Sequence, residues 1–376
     1  MNNAGHDAAI ANKSAGVTSS ARQQGGRRNG RTVYVGMSGG VDSSVTAALL
    51  KEQGYGVVGV YMKNWSQDLP GLPCPWKEDF ADAKRVAVQL GIDFKVYDFE
   101  RQYRDKVVEY MLDGFRAGFT PNPDIMCNQE IKFKLFLHAA LKDGADFIAT
   151  GHYAKVKDGR LFMAKDANKD QTYFLHRVDK KAFTKTIFPL GDLTKPQVRE
   201  LAKKHKLVTA DKKESMGICF VGKVGIKEFL EQYVDKKPGK IIDAKGQVIG
   251  EHDGAIFYTI GQRHGLEVGG GLPYYVTGKD MKSNVVYVTT DLQDEKLWSS
   301  EIKMTSMHWI NNEPAKDQKL MVRTRHRAKL IPVKKLNKLS NSSWVAELGE
   351  DVRALTPGQS AVFYAGGECL GGGIVV

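Results

Sequence analysis

The chain predicts an α/β fold: an N-terminal parallel-sheet domain, then two smaller β-rich domains, the last barrel-like. Three observations predict it. From residue 32 to 223, apolar β-branched runs alternate with helical patterns, the grammar of a sheet with right-handed crossovers. From 224 onward, glycines punctuate short apolar alternations, which is strand-and-turn composition. Finally, 376 residues exceed what one hydrophobic core organises. The expected divisions are a disordered tail at 1–31, then domains at 32–223, 224–295 and 296–376.

Taken in order, Thr32 to Met37 is a β-branched and aromatic run suited to a buried parallel strand. Ser38-Gly-Gly-Val-Asp-Ser43 turns the chain into a helix whose apolar face carries Val45, Ala48 and Leu49. A second strand spans Gly56 to Met62, followed by a loop with Pro70, Pro73 and Pro75. A helix is predicted from about Glu78 to Leu90, a strand from Phe94 to Phe99 and a helix from Tyr103 to Ala117. The loop Thr120-Pro-Asn-Pro-Asp-Ile-Met-Cys127 precedes a helix beginning near Asn128. A strand from Asp146 to Thr150 ends in Gly151-His152-Tyr153. Further on, Ala255 to Ile260 and Val285 to Thr289 read as strands, and a strand-rich stretch begins near Leu297.

Composition narrows the function classes. No apolar run reaches the roughly 18 residues a membrane helix needs. Net charge is +12, and the first 31 residues carry four of those charges, so the body itself is basic. That balance points to a polyanionic partner such as nucleic acid. Four cysteines, at 74, 127, 219 and 369, form no C-x-x-C pair, so neither a zinc site nor a disulfide scaffold is indicated. A reducing, cytoplasmic setting is expected. The tail lacks an apolar segment and does not read as a secretory signal.

The first constellation is the turn itself. Gly39 and Gly40 let the backbone approach an anion closely, and the amides of Val41 to Ser44 open a helix whose dipole favours negative charge. A Walker A loop would carry lysine, and a dinucleotide loop would read G-x-G-x-x-G; neither is present. Cys127 lies between a proline-rich loop and the expected helix start, where a thiolate is favoured, with Asp124 one turn earlier. Cys219 sits between Gly217 and Gly222. By itself each thiol reads either as packing or as a nucleophile. Cys74 and Cys369 read as structural. From Lys319 to Lys338 there are eight Lys or Arg residues and no acid. On a strand, Arg323, Arg325, Arg327 and Lys329 would share one face, as a phosphate-binding ridge or a charge-protected edge.

Together these stretches resemble the tRNA-specific 2-thiouridylases, within the ATP pyrophosphatases: Gly36-Met-Ser-Gly-Gly-Val-Asp-Ser43, Met62-Lys-Asn-Trp65, Thr120-Pro-Asn-Pro-Asp124, Cys127-Asn128, Thr150-Gly-His-Tyr153, Lys169-Asp-Gln171, Glu214-Ser-Met-Gly-Ile-Cys-Phe220 and Thr259-Ile-Gly-Gln-Arg-His264. The resemblance runs from about residue 32 to the C-terminus. It implies a PP-loop, adenine nucleotide α-hydrolase-like domain. It also implies a transferase that uses ATP, with Mg²⁺, to adenylate the 2-carbonyl oxygen of the wobble uridine, then replaces that oxygen with sulfur. The same resemblance implies Cys219 as the persulfide carrier, Cys127 as the second thiol, able to pair with it, and Asp124 as acid or base. ATP would meet Gly36, Met37, Ser38, Gly39, Gly40, Val41, Asp42, Ser43, Met62 and Gly151. The tRNA would meet Asn122, Pro123 and Asp124 at the target base. It would also meet His152, Lys169, Asp170, Gln171, Arg325, His326 and Gln359. The implied sulfur source is a persulfide-donating relay protein or a cysteine desulfurase. The chain departs from the family in the tail before Thr32, in the insert Ser66 to Trp76, and at His326, where tyrosine is common.

Overall fold

A computed structural model describes residues 30–68, 76–213 and 225–376, apart from 267, 270, 272 and 341. Five parallel strands form the first sheet, in the order β3 (Asp93–Asp98), β2 (Gly56–Lys63), β1 (Thr32–Gly36), β4 (Phe147–Ala149) and β7 (Thr186–Ile187). Side chains alternate along β1, so Val33 and Val35 enter one core and Tyr34 the other. The first core lies under α1 (Val41–Glu52), through Val45, Ala48 and Leu50, and under the helix Lys195–Lys204, through Val198 and Ala202. On the opposite face Met111, Leu112, Ile131 and Phe136 cover the sheet. The chain leaves β1 toward β2 and later returns to β1's other side as β4, which makes β1/β4 the topological switch point.

Two short strands inside this region leave the parallel pattern. The hairpin β5 (Lys155–Lys157) and β6 (Arg160–Phe162) pairs antiparallel with β17 (Glu368–Val375), near the end of the chain. The sequence reading expected only α/β alternation here. Three-residue strands carry too little period to be read from one sequence.

The central region forms a four-stranded sheet in the order β10 (Tyr275–Asp280), β11 (Val285–Thr289), β8 (Gly239–Ile242) and β9 (Val248–His252). Val285 to Thr289 forms the expected strand, but Ala255 to Ile260 does not. Gly254 has φ +154°, and Ala255–Phe257 coils into a 3₁₀ turn buried beneath the sheet.

The last region closes on itself. β12 (Trp298–Trp309), β15 (Ser343–Arg353), β14 (Ile331–Lys338), β13 (Leu320–Arg323), β16 (Ser360–Ala365) and β17 form a ring in which β17 also pairs with β12. This is a six-stranded barrel with Ile302, Val322, Ala346 and Phe363 in its core. Small residues Gly371 to Gly373 let β12 pass close to β17; a Cβ on Gly373 would sit 3.0 Å from the Thr305 carbonyl oxygen.

The basic ridge expected from Arg323 to Lys329 is not a strand. β13 ends at Arg323, and Arg327 adopts φ +62°, which breaks the period of two. Arg323 turns inward instead. Its Nη1 lies 3.3 Å from the buried Asp170 carboxylate, and its guanidinium stacks over Tyr364 at 5.4 Å. Asp170 also accepts from the Ala164 amide (3.0 Å) and the Thr172 hydroxyl (2.7 Å). This buried pair ties the parallel-sheet region to the barrel. Arg323→Met is expected to lower unfolding free energy by about 3 kcal/mol or more, because it strands a buried carboxylate. Urea denaturation checks this, and a loss below about 1 kcal/mol would match a solvent-screened pair instead.

Candidate functional site

Everything at the site starts from the carboxyl ends of β1 and β4. After β1 the chain makes the Ser38–Gly40 turn and enters α1. Gly39 has φ +74°, and a Cβ there would run into the Asp79 carbonyl at the start of α2 (Trp76–Leu90). Only glycine fits this position without displacing α2. Ser43 closes the turn. Its hydroxyl donates to the Gly40 carbonyl (3.1 Å) and accepts from the Ser38 amide (3.2 Å). Gly40 caps α1 without a side-chain hydrogen bond of its own.

The turn after β4 meets this loop. A Cβ on Gly151 would lie 2.8 Å from the Ser43 amide nitrogen. Met62 and Phe136 reach the same place: a Cβ on Gly36 would be 3.0 Å from Met62 Cε and 3.5 Å from Phe136. Residues 36–43, Met62 and Gly151, expected together, are therefore brought together around one backbone-lined anion cradle.

Sequence reasoning missed one member. The loop has no lysine of its own, but Lys195 supplies one from a helix 153 residues further on. Its ammonium lies 2.7 and 2.8 Å from the two Asp42 carboxylate oxygens. The Tyr153 hydroxyl donates to the same carboxylate at 3.0 Å. Thr194 and Gln197 form a capping box and Pro196 occupies the first turn, so the helix start that positions Lys195 was legible. The ion pair was not, because nothing local encodes a contact at that separation.

The thiol side is built on another helix start. The sequence placed Cys127 at that start; instead the helix begins at Pro123. Asn122 caps it, accepting from the Asp124 amide at 3.1 Å, with proline in the first turn. Cys127 lies a turn further in, where the coil widens into a π-helix, Cys127–Phe136. The thiol is 2% exposed, among Ile125, Ile131 and other apolar side chains. Asp124 is three residues before it, and burial pushes its carboxyl above the usual carboxylate range. Cys219, with Cys74, lies outside the described residues.

The residues expected to meet tRNA divide into groups. Asn122 and Pro123 form the cap just described. His152 is buried between Phe133 (5.7 Å) and Phe188 (6.0 Å), with Nδ1 2.7 Å from the Thr150 hydroxyl. Burial holds its ring well below the ordinary histidine range, so it stays neutral. Asp170 is the buried partner of Arg323, and Gln171 accepts from the Tyr153 amide at 2.9 Å. Lys169 and His326 lie together at the barrel seam, where Arg327 donates to the Asn168 carbonyl at 2.9 Å. His326 packs 4.6 Å from Phe174, and burial lowers its pKa to about 4.

Arg325 and Gln359 belong to a second seam. Arg325 Nη2 donates to the Ala354 carbonyl (2.6 Å), the Thr356 hydroxyl (2.8 Å) and the Ile260 carbonyl (3.2 Å). Gln359 donates to the Thr120 carbonyl at 2.7 Å, and Thr120 donates to Pro357 at 2.8 Å. The Thr120 hydroxyl lies 3.3 Å from that of Thr259. All three regions thus meet at the loop that leads into Asp124 and Cys127.

Family comparisons agree with this architecture. Residues 31–223 match the tRNA methyl transferase HUP domain, 227–290 the tRNA methyl transferase PRC-barrel domain, and 299–375 the aminomethyltransferase beta-barrel domain. The tRNA-specific 2-thiouridylase MnmA of Bacillus thuringiensis (strain Al Hakam) is 48% identical over 91% of this chain and 94% of its own. That of Bacillus mycoides (strain KBAB4) is 48% identical over the same shares. A solved 4-thiouridine synthetase–RNA complex with bound ATP overlaps only partially. Its TM-score is 0.35 at 18% identity, covering 54% of this chain and 50% of that one. With an anion cradle at the switch point, a capped Asp124–Cys127 helix beside it and near-complete relatives at this identity, the chain belongs to the tRNA-specific 2-thiouridylase family.

Proposed function

We propose that this protein thiolates the wobble uridine of tRNA in two stages, with ATP bound at Gly36–Ser43, Met62 and Gly151. The observation that carries this reading is one helix that reaches both sites. Asp124 and Cys127 stand at its start, and Phe136, further along it, reaches the nucleotide loop at Gly36. A substrate base at its start would lie along the same helix as a nucleotide beside Phe136.

In the first stage the uracil O2 attacks the α-phosphorus of ATP. The O2–P bond forms, and the bond to the β-phosphate breaks with its electron pair leaving on pyrophosphate. The N3 proton passes to a base, the role we assign to Asp124. Its burial strengthens it as a base by raising the carboxyl. Lys195, held on Asp42, supplies the cation that a loop without lysine needs beside the departing pyrophosphate. Magnesium would enter with the triphosphate. Among the described residues no three His, Cys, Asp or Glu side chains gather at metal-binding distance.

In the second stage the terminal sulfur of a Cys219 persulfide attacks C2, and AMP leaves with the C–O electron pair. The Cys127 thiolate then attacks the Cys219 sulfur, forming a Cys127–Cys219 disulfide, and the released ring sulfur becomes a thiocarbonyl as Asp124 returns the proton to N3. An external thiol reduces that bond, and a relay protein or cysteine desulfurase renews the persulfide. Asn122 to Asp124 would meet the base, with His152 a neutral buried support behind them. Lys169 to Gln171, Arg325, His326 and Gln359 would follow the tRNA along the two seams. A cytoplasmic setting suits a persulfide, and among the described residues no helix is long and apolar enough to cross a membrane.

Asp42→Ala is expected to lower tRNA-dependent pyrophosphate release by about 100-fold or more while tRNA affinity stays within about twofold. Equal loss of both would refute the loop assignment. Cys219→Ser is expected to keep pyrophosphate release and abolish 2-thiouridine, read by nucleoside mass spectrometry; thiolation by the variant would refute the persulfide role. The pH dependence follows from Asp124. Its folded pKa lies above the unfolded value, so the unfolded chain loses this proton first, and stability falls as pH rises through the folded pKa. Asp124→Asn should flatten that fall in melting scans across pH, and should also remove the acid limb of pyrophosphate release.

A further inference from the structure

The helix Cys127–Phe136 carries three charged side chains, and two of them are neutralised. Glu130 pairs with Lys134 at 2.9 Å on its own helix and with Lys106 at 3.1 Å on a neighbour. Lys132 is the third. It is half-buried, and among the described residues no carboxylate stands within ion-pair distance of its ammonium. An unpaired cation on a partly buried face carries a desolvation cost that an anion would offset.

Its position follows from the helix geometry. In an α-helix, residues five apart are rotated by about 140°. Here the coil is a π-helix, whose bonds run from i to i+5, so Lys132 comes one turn beyond Cys127. The adjacent Phe133 packs its ring on His152, beside Gly151 of the nucleotide cradle. Lys132 is also the charge that acts on both Asp124 and His152, disfavouring a proton on each. It therefore stands on the stretch of helix between Cys127, where the base would be held, and Phe136, which reaches the nucleotide loop.

We propose that Lys132 is a further catalytic residue, its ammonium binding the α-phosphate as that group moves from ATP to the uracil oxygen. The assignment rests on the two-stage reading above. In the adenylation step the ammonium offsets negative charge on the phosphoryl oxygens while the O2–P bond forms and pyrophosphate leaves. In the second stage it remains on the AMP phosphate as the C–O bond breaks and AMP takes the electron pair. No proton leaves Lys132 in either step. The π-turn then has a function, which is to set Lys132 one turn beyond Cys127 on this helix.

The test compares full-length wild-type protein with Lys132→Gln, using ATP and an unmodified tRNA transcript. Tenfold or greater loss of tRNA-dependent pyrophosphate release, with tRNA affinity unchanged, is expected. The acid limb of the rate should also move to higher pH, because the cation that favours ionised Asp124 is gone. An unchanged rate, or a loss matched by weaker tRNA binding, would overturn the proposal. A measurement on the wild-type chain does not depend on the variant folding. Acylation of Lys132 by an amine-reactive ester, read by peptide mass, should slow only when ATP and tRNA are both present; equal labelling would overturn the contact. If wild-type protein releases no pyrophosphate with tRNA, the two-stage reading falls as well, whereas an active wild type with an indifferent Lys132→Gln removes this inference alone.

Discussion

The Asp42–Lys195 ion pair is the constraint from which the rest of the site follows. It joins the first turn of α1 to the first turn of a helix more than 150 residues away, across the edge where β1 and β4 diverge. A carboxylate at a helix N-terminus would by itself compete with an incoming anion for the helix amides. Held by Lys195 and the Tyr153 hydroxyl, that carboxylate is compensated. Gly39 and Gly151 complete the arrangement by admitting backbone where side chains would collide.

A second constraint keeps three regions of the chain in one frame. The β5–β6 hairpin extends the barrel sheet, Arg160 donates to Glu368 at 2.9 Å, and Asp170 is buried against Arg323. On the other side, Thr120 is bonded to Pro357 and Gln359 of the barrel and lies against Thr259 of the central region. The loop that sets Asp124 and Cys127 is therefore fixed by contacts from outside its own domain.

These contacts also change how the basic residues are understood. Arg323 and Arg325 read in the sequence as surface charges on one strand face. One is a buried counter-ion, and the other clasps three oxygens across a seam. Arginine suits such places, since its planar fork satisfies several acceptors while staying charged. A share of the chain's net positive charge thus holds the protein together, and Arg327 and Lys169 remain at the seam's surface.

The sequence by itself determined the alternation of strands and helices, the lysine-free anion loop and its glycines, the proline-rich polar loop before Cys127, and the shift to strand composition after residue 224. All of these are written in local period, turn chemistry and capping, which act over a few residues. Tertiary structure decided what lies beyond that range. It set Lys195 on Asp42, the β5–β6 hairpin in the barrel sheet, Arg323 facing inward, and the widened turn that carries Lys132 past Cys127. Each of these depends on which distant surface packs alongside, and on the cost of leaving a buried charge or backbone edge unpaired. No spacing along the chain records that cost.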